Sequence, residues 1–193
     1  SDLVWSRVMR EYLMGERAPM TDLMAWNADP TRMPFRMHSE YLRKLFLQND
    51  LAEGRYTVEG RPIALKDMNR PLFAVGTERD HVAPWPSVYK FHLLTDVEVT
   101  FVLTSGGHNA GIVSEPGHPG RRYRVATKAS DATYVDPGVW AAETPIHAGS
   151  WWPEWSQWLA AHSGPPGPVP PMGAPKAGYA LLGDAPGTYV REG

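Results

Sequence analysis

Asp80 and His108 are the two residues of this sequence whose types and settings suit general acid–base chemistry as a pair. Asp80 follows the apolar run Leu72-Phe73-Ala74-Val75 through Gly76-Thr77-Glu78-Arg79, and His108 follows Val97 to Leu103 (VEVTFVL) through Thr104-Ser105-Gly106-Gly107. Short runs of this kind, β-branched and aromatic, predict buried parallel strands. Both residues then fall at the carboxyl ends of strands, the edge where open α/β sheets place ligand-binding and catalytic groups. A carboxylate there would orient the imidazole and stabilise its cation, while the imidazole removes and returns a nucleophile's proton. Gly106 and Gly107 would let His108 approach closely. A second reading stands beside this one, since an acid after one strand and a glycine-flanked histidine after another also serve as turn and capping residues.

The nucleophile for such a pair is not in the chain. There are no cysteines among the 193 residues, and no serine, Ser105 and Ser150 included, lies in a G-x-S-x-G setting. In the α/β-hydrolase chain order the nucleophile comes first and the acid precedes the histidine, and acid before histidine is the order found here. His81 adjoins the acid, but consecutive residues rarely point the same way, so it is expected to bond within the turn or to lie near the site without acting as base. His38, His92, His118, His147 and His162 lack the i, i+4 pairing and neighbouring carboxylates of a zinc site, and no metal is expected. Asp29 and Asp131 sit in turn settings and are expected to bond nearby backbone. Trp151, Trp152, Trp155 and Trp158, spaced by three and four residues, are expected to pack an aromatic helix face on the core.

The elements that must position the pair are legible in part. Val82 to Leu94, behind Pro84-Trp85-Pro86, predicts a helix between the two strands, giving a βαβ unit and an α/β fold class. Upstream, Val4 to Met14 and Met37 to Leu51 carry helical apolar spacing, separated by Leu23-Met24-Ala25-Trp26 and the turn Asn27-Ala28-Asp29-Pro30. Tyr56-Thr57-Val58 and Arg61-Pro62-Ile63 flank Glu59-Gly60 as a short hairpin. After His118-Pro119-Gly120 the chain reads as irregular up to Trp151–Ala161, a short helix with a proline in its first turn. Beyond Gly164 the Pro- and Gly-rich stretch predicts an extended arm. The expected organisation is therefore a helical cap over residues 1–65, the sheet-bearing core with the Asp and His loops over 66–163, and an arm over 164–193.

Bulk composition narrows the functional classes. With 19 basic and 21 acidic side chains and a net charge of −2, the chain has no broad positive field to gather nucleic acid or anionic membrane. No stretch approaches the roughly 18 apolar residues of a membrane span, and Ser1 to Arg10 lacks the order of a signal peptide. A cytoplasmic protein is expected, and the start at Ser1, without methionine or leader, suggests a fragment. Trp5, Leu23, Met24, Trp26 and Phe35 in the cap would need a lobe or partner to cover them.

Asp80-His81-Val82-Ala83-Pro84-Trp85, Gly107-His108-Asn109-Ala110-Gly111-Ile112 and Gly149-Ser150-Trp151-Trp152-Pro153-Glu154-Trp155, in this order, resemble segments of class I polyhydroxyalkanoate synthases. The likeness extends upstream to Trp26-Asn27-Ala28-Asp29-Pro30-Thr31 and Tyr41-Leu42-Arg43, and downstream to Ala185-Pro186-Gly187-Thr188-Tyr189-Val190. It implies the C-terminal part of an α/β-hydrolase fold with a helical cap. It implies also a cytoplasmic acyltransferase that polymerises (R)-3-hydroxyacyl-coenzyme A through a Cys-His-Asp triad, with Asp80 and His108 as acid and base and the cysteine upstream. Coenzyme A would enter with the substrate, with no resident cofactor; a homodimer and a polymer granule surface are the further partners expected. The sequence departs from the family at Gly106-Gly107-His108-Asn109, where Ser-Gly-His-Ile is usual, which bears on substrate preference and not on triad chemistry. Two alternatives remain at this stage: an esterase or polyester depolymerase of the same fold with a serine nucleophile, and a non-catalytic dimerisation or granule-associated module.

Overall fold

Apolar spacing at the amino-terminal end yields helical backbone where helices were expected, much of it wound wider than an α-helix. The computed structural model describes residues 5–6, 8–16, 19, 21–27 and 32–184. Leu3, Val4, Asp29 with its turn and the closing segment 185–190 lie outside the described residues. Two compact units are distinguished, Ser1–His38 with Pro168–Gly193, and Ser39–Gly167.

In the first unit, Val8–Leu13 winds one residue wider than an α-helix, with Met14 N–H donating to Met9 O at 3.0 Å. Helix α1 is Asp22–Asn27. The carboxyl-terminal stretch is extended, as its prolines require, apart from a single tight turn at Pro175–Ala177 closed by a bridge between Ala174 and Tyr179.

Helix α2, Phe35–Glu40, crosses the division and passes into a second wide-wound segment, Tyr41–Leu47. A single helix from Met37 to Leu51 is thus corrected to two short pieces of different pitch. Their apolar face lies open, with Phe46 76% and Leu47 74% exposed. The hairpin falls where expected, as β1 (Thr57–Val58) against β2 (Arg61–Pro62). Glu59 and Gly60 take φ of 49° and 76°, the twin left-handed residues of a two-residue hairpin turn.

The core of the second unit is a four-stranded mixed sheet. Strand β3 (Leu72–Thr77) is followed by α3 (Trp85–Val88) and α4 (Phe91–Leu94), then β4 (Val99–Thr104), which pairs parallel to β3. The helix expected over Val82–Leu94 is broken at Tyr89-Lys90 into these two short pieces. The stretch expected to be irregular holds three further elements: β5 (Arg122–Lys128), α5 (Pro137–Glu143) and β6 (His147–Ala148). β5 pairs antiparallel with β4 and β6 antiparallel with β5, giving the order β3-β4-β5-β6. Helix α6, Trp152–Ala161, matches the expected aromatic helix.

Strand alternation assigns the two faces. Ala74, Phe101 and Leu103 pack with Tyr89 and Trp140, against Trp85, Val88 and Phe91 of α3 and α4. Val102, Tyr123 and Trp151 pack on the other face with Phe73, Val75, Val125 and Trp152. Helices therefore cover both faces, and all six residues of β4 are buried. A parallel strand covered on both sides reads as a continuous apolar run for that reason. Among the described residues no helix is long and apolar enough to cross a membrane.

Candidate active site

Strands β3 and β4 deliver the two loops that carry Asp80 and His108, and their ladder continues past the strand ends. Thr77 stands opposite Thr104, then Glu78 N–H donates to Thr104 O and Arg79 N–H to Gly106 O, both at 2.9 Å. The acid and histidine loops are thereby zipped to each other before either functional side chain is reached.

Asp80 divides its carboxylate. Oδ1 accepts from the backbone N–H of Val82 and of Ala83, both at 2.8 Å, which folds the turn into Pro84 at the head of α3. Oδ2 lies 2.8 Å from His108 Nδ1. The Ala83 N–H is the chief cause that pulls the Asp80 carboxyl down to about 2; partial burial opposes it, and the bonds from His108 and Val82 assist. Asp80 is therefore ionised at neutral pH and has no proton to give, so His108 Nδ1–H is the donor. Nε2 is left free of its proton in the neutral ring, and it bonds to none of the described residues. The His108 side chain is 47% exposed against 8% for Asp80, an anchored acid behind an accessible imidazole.

Two glycines make the close packing of these loops possible. Gly106 has φ of 114°, and a Cβ there would stand 2.8 Å from Gly111 Cα. A Cβ on Gly111 would stand 2.5 Å from Thr77 Cγ2. Gly107, expected to serve the same purpose, would meet only Arg79 O at an ordinary 3.7 Å. Crowding at Gly111, which joins the histidine loop to the end of β3, had no counterpart in the sequence reading.

The other candidates fall elsewhere. His81 is exposed and bonds to none of the described residues. His92 is buried against Tyr89, with ring centroids 4.1 Å apart; burial, partly opposed by its bond to Tyr89 O, lowers its pKa. His118 bonds to Pro119 O and Arg121, His147 stacks on Tyr123 and His162 on Trp158. His38 is exposed in α2, and Asp131 is exposed in the turn closed by Ala132 N–H and Ala129 O. Among the described residues no three His, Asp or Glu side chains are grouped to hold a metal ion.

Trp151 is buried and in ring contact with Phe73 and Trp155, as a core reading requires. Its indole N–H, however, donates to Gly111 O at 3.2 Å, and that of Trp152 to Ile112 O at 3.0 Å. The sequence reading missed this polar role, although an indole N–H placed in an apolar setting usually finds an acceptor.

An ionised carboxylate holding an imidazole, at the carboxyl edge of a parallel strand pair, has the geometry of the acid and base of a nucleophilic acyl-transfer site. Such a pair can accept a proton from a thiol or hydroxyl brought to Nε2 and pass it to a leaving group.

No family model matches the chain, but curated proteins do over nearly all of it. It is 38% identical over 192 residues to poly(3-hydroxyalkanoate) polymerase 2 of Ectopseudomonas oleovorans, covering 98% of this chain and 33% of that protein. It is 39% identical over 193 residues to the poly(3-hydroxyalkanoate) polymerase of Methylorubrum extorquens, covering 99% and 31% respectively. The poly(3-hydroxyalkanoate) polymerase subunit of Cupriavidus necator is 36% identical over 192 residues, covering 99% and 32%. The chain belongs to the poly(3-hydroxyalkanoate) polymerase family, and it spans about a third of the length of these relatives.

Proposed function

We propose that this chain supplies the acid and base of a polyhydroxyalkanoate synthase, working on a cysteine from a part of the polypeptide upstream of Ser1. The observation that carries the reading is the 2.8 Å contact of Asp80 Oδ2 and His108 Nδ1, with Nε2 bonded to none of the described residues. The region is taken as the C-terminal part of an α/β-hydrolase fold, with residues 1–65 as cap, 66–163 as core and 164–193 as arm.

In the first half-reaction His108 Nε2 takes the cysteine proton and the thiolate attacks the acyl carbon of (R)-3-hydroxyacyl-coenzyme A. The carbon–sulfur bond to coenzyme A breaks, and its departing thiolate receives the proton from Nε2. In the second, Nε2 takes the proton of a 3-hydroxyl, whose oxygen attacks an enzyme-bound thioester. An ester bond forms, and the cysteine sulfur leaves with the proton. Asp80 stays anionic throughout and stabilises each imidazolium. Coenzyme A arrives as part of the substrate, and no resident cofactor is required. A cytoplasmic homodimer at the surface of its polymer granule is the setting that the family resemblance suggests.

Release of coenzyme A from (R)-3-hydroxybutyryl-coenzyme A by the full-length protein tests the reading. His108→Gln is expected to reduce kcat by about 10²–10⁴-fold. Unchanged turnover in that variant rejects His108 as the base, and hydrolysis to free acid without polymer would assign a hydrolase.

A further inference from the structure

The segment after His108 is a single helical turn, with Gly111 N–H donating to Gly107 O at 2.9 Å and Val113 N–H to Asn109 O at 3.0 Å. The last carbonyls of any such turn have no following N–H of their own to bond. Here four consecutive carbonyls are each met by a side-chain donor from further along the chain. Gly111 O accepts from Trp151 Nε1 and Ile112 O from Trp152 Nε1. Val113 O accepts from Arg121 Nη2 at 3.4 Å, and Ser114 O accepts from Ser150 Oγ.

The donors themselves stand on a fixed frame. Gly149 N–H donates to Arg121 O at 2.7 Å, joining the two chain sites that carry them. Ser150 Oγ accepts from Trp152 N–H at 3.0 Å, and Trp151 is buried beside Phe73 of β3. At its other end the histidine loop is tied down by Ser105, whose N–H donates to Arg122 O at 2.9 Å. Between the two attachments His108 and Ala110 are exposed, with Gly107 and Asn109 half-buried beside them. Loss of a donor from the frame would leave the Asp80 contact possible but would let the loop, and with it Nε2, take several positions.

From this arrangement we infer that Arg121, Ser150, Trp151 and Trp152 are positioning residues for His108, four side-chain donors that hold its loop by the backbone and present Nε2 at one place. The inference rests on His108 being the base of the reaction proposed above. Positioning acts on the chemical step more than on substrate affinity, because a misplaced base costs rate when reacting atoms must meet within a few tenths of an ångström.

The test uses the full-length protein containing this chain. Trp152→Phe keeps an aromatic ring and removes only the donor and part of the ring, and Trp158→Phe is its control, since Trp158 Nε1 bonds to none of the described residues. Coenzyme A release and backbone hydrogen exchange over residues 107–114 are measured for both. Expected for Trp152→Phe are a kcat at least tenfold lower, a KM within twofold, an unchanged unfolding temperature and exchange at least tenfold faster in that segment; Trp158→Phe leaves all four as they were. A kcat within twofold of the parent, or a loss shared equally by Trp158→Phe, overturns the inference. Should the parent itself release no coenzyme A, the acyl-transfer reading fails, and exchange alone decides whether the four donors hold the loop: unchanged protection in Trp152→Phe refutes them.

Discussion

Asp80 keeps its two oxygens on different duties, one bonded to backbone N–H groups and one to the imidazole, and its behaviour follows from that division. With its carboxyl held at about 2 instead of 3.8, the favourable contribution of its ionised form is fully present above pH 3.8 and is lost as pH falls through about 2. A carbon-13 titration of the Asp80 carboxyl should accordingly have its midpoint near 2, and any loss of activity above pH 4 must come from another group. Asp80→Asn is a sharper probe. The amide oxygen can still accept from Val82 and Ala83, but its NH₂ would then face His108 Nδ1. Nδ1 must become the acceptor, the proton moves to Nε2, and the base is disarmed while the loop keeps its shape. The expected loss in kcat is about 10⁴-fold, as for the corresponding change in serine proteases, with an unchanged circular dichroism spectrum. The pair was legible from residue types and spacing only as one of two readings, beside that of turn and capping residues, and it was the resemblance to the synthase family that favoured it.

At the scale of elements, β4 and the glycine-lined loop after it set the tolerances. Gly111→Ala would force a Cβ to within 2.5 Å of Thr77 Cγ2 and 2.9 Å of Gly107 O, an overpacking expected to cost about 1–3 kcal/mol of stability by denaturant titration. Thr77→Ser in the same chain removes the nearer of the two Thr77 contacts and should restore part of the loss, which a double-mutant cycle would read. Phe101, fully buried between Tyr89 and Trp140, should cost about 3–5 kcal/mol on truncation to alanine. β3 and β4 could be read from sequence because burial on both faces makes their runs continuous. β5 could not: Tyr123 and Val125 alternate with Arg122, Arg124 and Lys128, and only Tyr123 is buried, so a half-covered strand looked like loop. α5 carried a signal that went unread, Asp136 capping Gly138 N–H at 2.8 Å with Pro137 behind it, the ordinary start of a helix. The helix expected across α3 and α4 failed for the opposite reason: apolar spacing persists through Tyr89-Lys90, but the backbone there closes in tighter turns, Lys90 N–H to Ser87 O and His92 N–H to Tyr89 O.

For the whole molecule, β3 ends the strand order of the sheet among the described residues, and an edge strand of this length offers unpaired backbone groups to another chain. The exposed apolar side chains of the wide-wound segments add surface that a partner would cover. Light scattering of the isolated chain should therefore show association that rises with concentration; a monodisperse monomer would mean that these residues close their own core. The same isolated chain, which contains no cysteine, should release no coenzyme A above the solvent rate, because a base without a nucleophile cannot form an acyl-enzyme. The compactness of the β3–β4 unit has a kinetic corollary as well. Asp80 and His108 are 28 residues apart, within one strand–helix–strand crossover, and the entropy of closing so short a loop is modest, growing by only about 0.6 kcal/mol per doubling. Contacts of low sequence separation form early in folding. A cysteine upstream of Ser1, as proposed, is farther along the sequence from Asp80 than His108 is, so the proposed acid and base are expected to meet before the nucleophile reaches them.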